Sequence, residues 1–142
     1  MTRALTFAVL TVTVLVAHRF ADHVLGQTDA QARLKAESGR AAWAALGRHL
    51  AAYHAVVIVM AGVTLAALRL PVSPLGAGVG LLVSAGSHAL WDRRRAVRWV
   101  LMRTGSGEFA ALTENGMNGM YLADQSLHGA SLWLAVLLAV LL

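Results

Sequence analysis

The sequence predicts an all-α fold that crosses a membrane as a four-helix bundle, with short interfacial helices in its two long loops. Hydrophobic residues make up 58% of the 142 residues and charged residues only 13%, a composition too apolar for an ordinary soluble domain. Four long apolar runs are separated by more polar segments, the first and third of which are rich in basic residues, and apolar runs of this length suit membrane spans. Histidine and aspartate stand four residues apart, about one helical turn, at the ends of three of these runs.

The first predicted span covers residues 4–24. An apolar run rich in valine, leucine and threonine begins after Arg3 and continues at helical pitch to Asp22. At about 1.5 Å per residue, the stretch from Leu5 to Asp22 is roughly 26 Å long, close to a hydrocarbon core of about 30 Å. A cleaved signal peptide is the alternative, but no clear small-x-small cleavage site follows the run.

The second predicted span covers residues 49–69. It follows a polar segment, residues 27–47, in which charged residues are interleaved with alanines. This segment is predicted to form a short helix on the membrane surface. The span ends before Pro71 and Pro74, which signal a turn.

The third predicted span covers residues 75–92, and the fourth covers residues 121–142. Gly76 and Gly80 begin a stripe of small residues at four-residue steps, which lets another helix approach closely. Between the two spans, the segment 93–103 interleaves arginines with apolar residues and is predicted to lie on the lipid surface. A glycine-rich loop then leads to the last span.

The distribution of arginine predicts the topology. The loops after the first and third spans carry most of the basic residues, whereas the opposite side has only Arg3 and Arg69. By the positive-inside tendency, both long loops are cytoplasmic and both termini lie outside the cell membrane. The net charge of +5 is therefore assigned to topology and to contact with anionic lipid headgroups, not to nucleic acid. The predicted partner is the bilayer, around a single integral membrane domain of unspecified oligomeric state.

This topology places ionisable residues from every predicted span at the cytoplasmic end of the bundle. Such residues cost roughly 2.5–3.5 kcal/mol each at membrane depth when unpaired, and they normally face the bundle interior in partnership. Imidazole and carboxylate groups on facing helices are how helical bundles build metal centres. Because the chain has no cysteine, the ligands must be nitrogen and oxygen. The candidate metal ligands are His18, Asp22, His49, His88, Asp92, Asp124 and His128.

A divalent cofactor would give this cluster a hydrolytic function, with zinc as the first expectation and manganese or iron as alternatives. A bound ion of this kind lowers the pKa of water toward ~7, and a nearby carboxylate can take the proton. The candidate catalytic carboxylates are Asp22, Asp92 and Asp124, and the residues expected to orient ligands or substrate are Gln27, Tyr53 and Gln125. The interface location and the surrounding arginines favour an amphiphilic substrate such as a phosphate-bearing lipid.

Two non-enzymatic interpretations stay open at this stage. Interhelical hydrogen bonds between histidine and aspartate would hold the helices in register without a metal ion. A carrier of divalent cations or protons would also place these residues between helices, although transport sites usually lie near the bilayer midplane. His54 lies on a different helical face from His49, so we predict that it forms a helix–helix hydrogen bond.

Four segments carry a resemblance to a known family: AHRFADHVLGQTDAQARLK, RHLAAY, SHALWD and NGMNGMYLADQSLH. Together they resemble the small bacterial and phage membrane proteins catalogued as domain of unknown function 3307, from about Ala17 to the last span. The resemblance implies a four-helix membrane fold, and no established activity comes with it. A looser similarity to membrane-bound metal-dependent hydrolases suggests the chemistry of the site.

Overall fold

The structure, a computed structural model, describes residues 2–25 and 28–142. These residues form the helices α1 (Thr2–His23), α2 (Asp29–Leu34), α3 (Arg40–Leu68), α4 (Pro74–Trp91), α5 (Arg95–Arg103), α6 (Gly107–Ala111) and α7 (Gly119–Leu141). No strand is present within the described ranges. The predicted all-α class is therefore confirmed.

Three helices, α1, α3 and α7, are long and apolar enough to cross a membrane by length and composition. The 18-residue helix α4 is not among them, because its glycines, serines and histidine lower its mean hydropathy. The expectation of four membrane-spanning helices is thus reduced to three candidate spans in the described part of the chain.

The four long helices are packed in the order α3, α1, α7, α4. Helix α1 contacts both α3 and α7, and α7 makes its most extensive contacts with α4, whereas α3 and α4 touch much less. Buried apolar side chains where α1, α3 and α7 meet form the main core. An apolar cavity of about 230 Å³ is lined by residues of all four helices. The weak α3–α4 contact explains why the arrangement is not a regular four-helix bundle.

Helices α4 and α7 approach each other closely through glycine. A Cβ atom on Gly76 would collide with the main-chain oxygen of Ala139, and one on Gly80 would lie 2.9 Å from that of Ala135. The stripe of small residues therefore faces α7. This approach brings the far end of α4 against the start of α7, where the ring centroids of His88 and His128 are 4.4 Å apart.

The first long loop differs from its prediction in three ways. Helix α3 begins at Arg40 instead of residue 49, because the alanine-rich stretch before His49 favours continued helix. The interfacial helix is reduced to α2, whose capping box pairs Thr28 with Gln31. Lys35, predicted to lie in a surface loop, is buried just beyond α2.

Candidate metal centre

Side chains from several elements meet where α1 and α4 end and α7 begins. Helices α1 and α3 supply two side chains each, α4 and the residue after it supply two, and α7 supplies three. The residues assembled there are His18, Asp22, His49, Tyr53, His88, Asp92, Asp124, Gln125 and His128. The structure thus brings together the predicted site residues from all four long helices. Gln27 lies outside the described residues.

Four potential ligand atoms converge at the centre of this group. Nε2 of His49 lies 3.1 Å from Nε2 of His88 and 3.1 Å from Oδ1 of Asp22. Oδ2 of Asp92 lies 3.4 Å from each of these two nitrogens. Ligand atoms around a tetrahedral zinc ion are about 3.4 Å apart when the metal–ligand bonds are about 2.1 Å long. The four distances that join these atoms to His49 and Asp92 are therefore close to those of a coordination shell.

Two overlapping groups of side chains have the geometry to hold a metal ion. One consists of Asp22, His49 and His88, and the other of His88, Asp92 and His128; within each group the ligand atoms lie within 4.8 Å of one another. His88 belongs to both groups. The arrangement therefore suits one ion at either position, or two ions of which only one is bound by His88, since a neutral imidazole offers one lone pair.

Each central carboxylate presents one oxygen to this centre and the other to an orienting partner. Oδ1 of Asp92 forms an ion pair with Nζ of Lys35 at 2.8 Å. Oδ2 of Asp22 accepts a hydrogen bond from Nε2 of Gln125 at 3.3 Å. Carboxylates that bind metals are commonly fixed by hydrogen bonds of this kind, which leave the second oxygen directed at the ion.

His128 is oriented in the same manner. Its Nδ1 lies 2.9 Å from the main-chain oxygen of Asp124, and because a carbonyl oxygen only accepts, Nδ1 donates. In the neutral imidazole, Nε2 then carries the lone pair that a metal requires. This nitrogen is buried and has no hydrogen-bond partner among the described residues. Since buried polar atoms are normally satisfied, the orphaned nitrogen favours an additional ligand at this point.

His18 and Asp124 lie outside both groups. The ring nitrogens of His18 contact Oη of Tyr53 and Oε1 of Gln125, each at 3.1 Å. The carboxylate of Asp124 accepts from Nε2 of Gln125 at 3.2 Å and lies 3.6 Å from Nδ1 of His128. These contacts favour a supporting position for His18 and a position beside the centre for Asp124, and their predicted roles as ligands stay predictions.

His54 takes no part in the centre. Its Nδ1 donates to the main-chain oxygen of Leu50 at 2.8 Å, and its Nε2 lies 3.1 Å from Oγ of Ser84 on α4. The predicted helix–helix hydrogen bond is therefore present. It links α3 to α4 one turn before His88.

Lys35 is the residue of the site that the sequence analysis missed. Burial opposes the charge on Asp92, but the adjacent imidazole of His88 and the positive charge of Lys35 outweigh it and lower the pKa of the carboxyl to about 2. Asp92, which lies beyond the last residue of α4, is consequently ionised. The available sequence signal was the capping-box pattern Thr28-Asp29-Ala30-Gln31, which predicts a defined helix start but not the direction in which the segment folds back.

A pocket of about 280 Å³ leads from the surface to the carboxylates of the centre. Asp22, Asp92 and Asp124 line it together with Lys35 and Tyr121. The site can therefore be reached by an ion or a substrate from the end of the bundle where α7 begins.

Comparisons with known proteins give a family and no activity. Residues 10–142 match a family model described as "Protein of unknown function (DUF3307)". The match includes every residue of the candidate centre. No curated protein and no solved structure matches the chain, so these comparisons give no support to the looser similarity to metal-dependent hydrolases.

Proposed function

For this chain, which belongs to the DUF3307 family, we propose the function of a metal-dependent hydrolase embedded in the cell membrane. The ligands in this proposal are Asp22, His49, His88, Asp92 and His128. One observation carries it: ligand atoms converge on a common point while the outer atoms of Asp22, Asp92 and His128 are held by partners of their own. This is the arrangement that orients ligands in established metal sites.

The net charge of the site favours a bound cation over the alternative interpretation, a metal-free network of hydrogen bonds. Three carboxylates, those of Asp22, Asp92 and Asp124, and two cationic side chains, those of Lys35 and Arg94, line the pocket. With these five groups ionised and the histidines neutral, the negative charges exceed the positive charges by one. Buried charges need compensation, and a divalent ion at the convergence point would supply it beside the unpaired Nε2 of His128.

Asp124 is the best-placed residue to act as the general base. It lies outside both ligand groups, lines the pocket and is held by Gln125. In hydrolysis of a phosphate ester, the oxygen of water would form a bond to phosphorus as the bond to the ester oxygen breaks. Asp124 would take the proton from water and return it to the leaving oxygen. The metal ion would supply polarisation of the phosphoryl oxygen and a more acidic water.

The position of the centre favours an amphiphilic substrate. The site lies at one end of the candidate spans α1 and α7, next to the basic helix α5. A phosphate-bearing lipid could present its headgroup to the pocket while its chains stay in the bilayer. The same position, away from the midplane, is unfavourable for the carrier interpretation.

The first test is elemental analysis of the purified chain after incubation with zinc, manganese or iron and removal of excess ion. We expect about one or two equivalents of metal in the wild type, loss in His88→Ala and retention in His54→Ala. The control removes a neighbouring histidine whose two nitrogens are already engaged. Absence of metal in the folded wild type would reject the proposal in favour of interhelical hydrogen bonding.

The second test separates binding from catalysis. Asp124→Asn should keep its metal content but release phosphate from a lipid phosphate monoester about 10²- to 10⁴-fold more slowly, as expected when a general base is lost. Equal rates in the two proteins would exclude Asp124 from this role. Metal binding without turnover in the wild type, combined with metal flux in proteoliposomes, would support a carrier instead.

A further inference from the structure

Another pocket, lined by a cluster of arginines, lies beside the pocket that leads to the candidate metal centre. Its volume is about 410 Å³, and no carboxylate is among its lining residues. We call it the basic pocket, defined by Arg93, Arg94, Arg95 and Arg98. It is formed by the turn after α4, by α5 and α6, and by the first turn of α7.

The positive charge of the basic pocket is not neutralised within the described part of the chain. None of its four guanidinium groups lies within 4.0 Å of a carboxylate oxygen there. Arg93 has other contacts: it stacks on Trp43 at 4.5 Å and donates to the main-chain oxygen of Lys35 at 3.4 Å. Arg94, Arg95 and Arg98 line the same pocket, and like charges that share a pocket repel one another unless an anion lies between them.

Arg94 connects the basic pocket to the candidate metal centre. It lines both pockets, and its backbone has φ 55°, in the left-handed region. That region is disfavoured for residues with a Cβ atom, and glycine would occupy it without strain. The chain therefore holds an arginine at a position where the backbone prefers glycine, and the side chain lies between the carboxylate-lined pocket and the other arginines.

We infer that the basic pocket binds the phosphate group of an anionic ligand, with Arg94 holding that group next to the metal centre. Guanidinium groups bind phosphate through paired, charge-assisted hydrogen bonds. The identification of this ligand with the substrate rests on the proposed function, whereas binding of phosphate to the arginines requires no metal. The phosphate could belong to a lipid headgroup or to a free ion, and the experiment distinguishes the two.

The test uses the full chain, stripped of metal by a chelator, in nanodiscs of phosphatidylcholine. In one arm inorganic pyrophosphate is titrated in solution, and in the other the nanodiscs contain phosphatidic acid and protein-bound lipid is quantified after extraction. Saturable binding in the first arm identifies a free phosphate ligand, and enrichment in the second identifies a lipid headgroup. Either result supports the inference, and failure of both overturns it.

The chain offers a matched control for the decisive variant. Arg69 also has a left-handed backbone, with φ 52°, and follows α3 at the opposite end of the molecule. Arg94→Gly and Arg69→Gly each remove one positive charge at a residue with positive φ, where glycine is favoured, so neither should lower the melting temperature. We expect phosphate affinity to fall about tenfold or more in Arg94→Gly only, as for loss of a charged hydrogen bond.

Equal affinity in the two glycine variants would show that binding depends only on overall charge and would overturn the inference. The outcome for the metal centre is independent. If Arg94→Gly binds phosphate as tightly as Arg69→Gly and the chain binds metal normally, the phosphate site in the basic pocket is rejected and the proposed hydrolase is not. A selective effect of Arg94→Gly in a chain that binds no metal rejects the proposed hydrolase alone.

Discussion

At the scale of single residues, the ion pair of Lys35 and Asp92 has a large energetic consequence. Both side chains are buried, with 8% and 5% of their surface exposed. Removing one member of a buried pair leaves the other charge without compensation, which is strongly destabilising. Because the second oxygen of Asp92 faces His49 and His88, a bound cation would share the neutralisation of this carboxylate.

Lys35→Met should therefore lower the free energy of unfolding by about 3–5 kcal/mol in the metal-free chain. The loss should be smaller after metal is added, because the ion compensates Asp92. Denaturant titrations in detergent, with and without metal, measure both values. The exposed neighbour Arg33 provides the control, since Arg33→Met should change the free energy of unfolding by no more than about 0.5 kcal/mol. An equal loss with and without metal would contradict a cation next to Asp92.

The residues of the centre were predictable to different degrees. Four-residue spacing placed each histidine and aspartate of a pair on one helical face, and the structure brings these faces together. Spacing alone could not predict which of these residues reach the centre and which support it from outside. His18 lies within reach of Tyr53 and Gln125 instead of the convergence point, and this depends on how α3 and α7 are rotated, which hydropathy does not determine.

At the scale of elements, the contact between α4 and α7 fixes the position of His88 relative to α7 and the direction in which its ring points. Gly76 and Gly80 allow main-chain contact with α7, while Gly78 and Gly86 have open space where a Cβ atom would be. The four glycines therefore differ in function although all lie within one helix. Two of them set the distance between helices, and two are tolerated at a cost in helix propensity.

Gly76→Ala and Gly78→Ala form a matched pair that tests this contact. Gly76→Ala should push α4 from α7, lower the melting temperature and reduce metal binding through displacement of His88. Gly78→Ala should be neutral or stabilise the helix by up to about 1 kcal/mol. Thermal unfolding and metal content measured on both variants check the prediction, which fails if the two substitutions behave alike.

The helices themselves were predicted unevenly, for physical reasons. Long apolar runs indicated α1, α3 and α7, because hydropathy and length define a candidate span directly. The start of α3 at Arg40 was missed, since polarity was taken to end the helix although alanine continues it. The path of α2, which buries Lys35, arises from tertiary contacts between residues far apart in sequence.

At the scale of the whole molecule, three helices show the same succession of environments. Each passes from the lining of the apolar cavity, through a histidine, to an aspartate at the polar end. The successions are Val14, His18 and Asp22 on α1; Ser84, His88 and Asp92 on and after α4; and Leu132, His128 and Asp124 on α7. The bundle thus has an apolar layer, a layer of rings and a layer of charges, and its polar end is the one predicted to face the cytoplasm.

This orientation can be tested with single introduced cysteines because the chain has no cysteine of its own. A membrane-impermeant maleimide applied to intact cells should label Pro71→Cys, in the turn between α3 and α4, and leave Glu37→Cys unlabelled until the membrane is opened. Both positions are exposed. The opposite labelling pattern would invert the topology, and labelling of both in intact cells would exclude a membrane-spanning arrangement.

The apolar cavity has a consequence for energy conservation in a membrane that carries a proton gradient. Along α4 its lining extends from Ala77 to Ser84, roughly 10 Å at the helical rise. Apart from Ser84, whose hydroxyl contacts His54, the side chains that line it are apolar, and water in such a space lacks partners. A chain of hydrogen-bonded water through this cavity is therefore unfavourable. Placed across a bilayer, as the proposed function requires, the bundle would hold acidic and basic groups at one face without a water path for protons through this cavity.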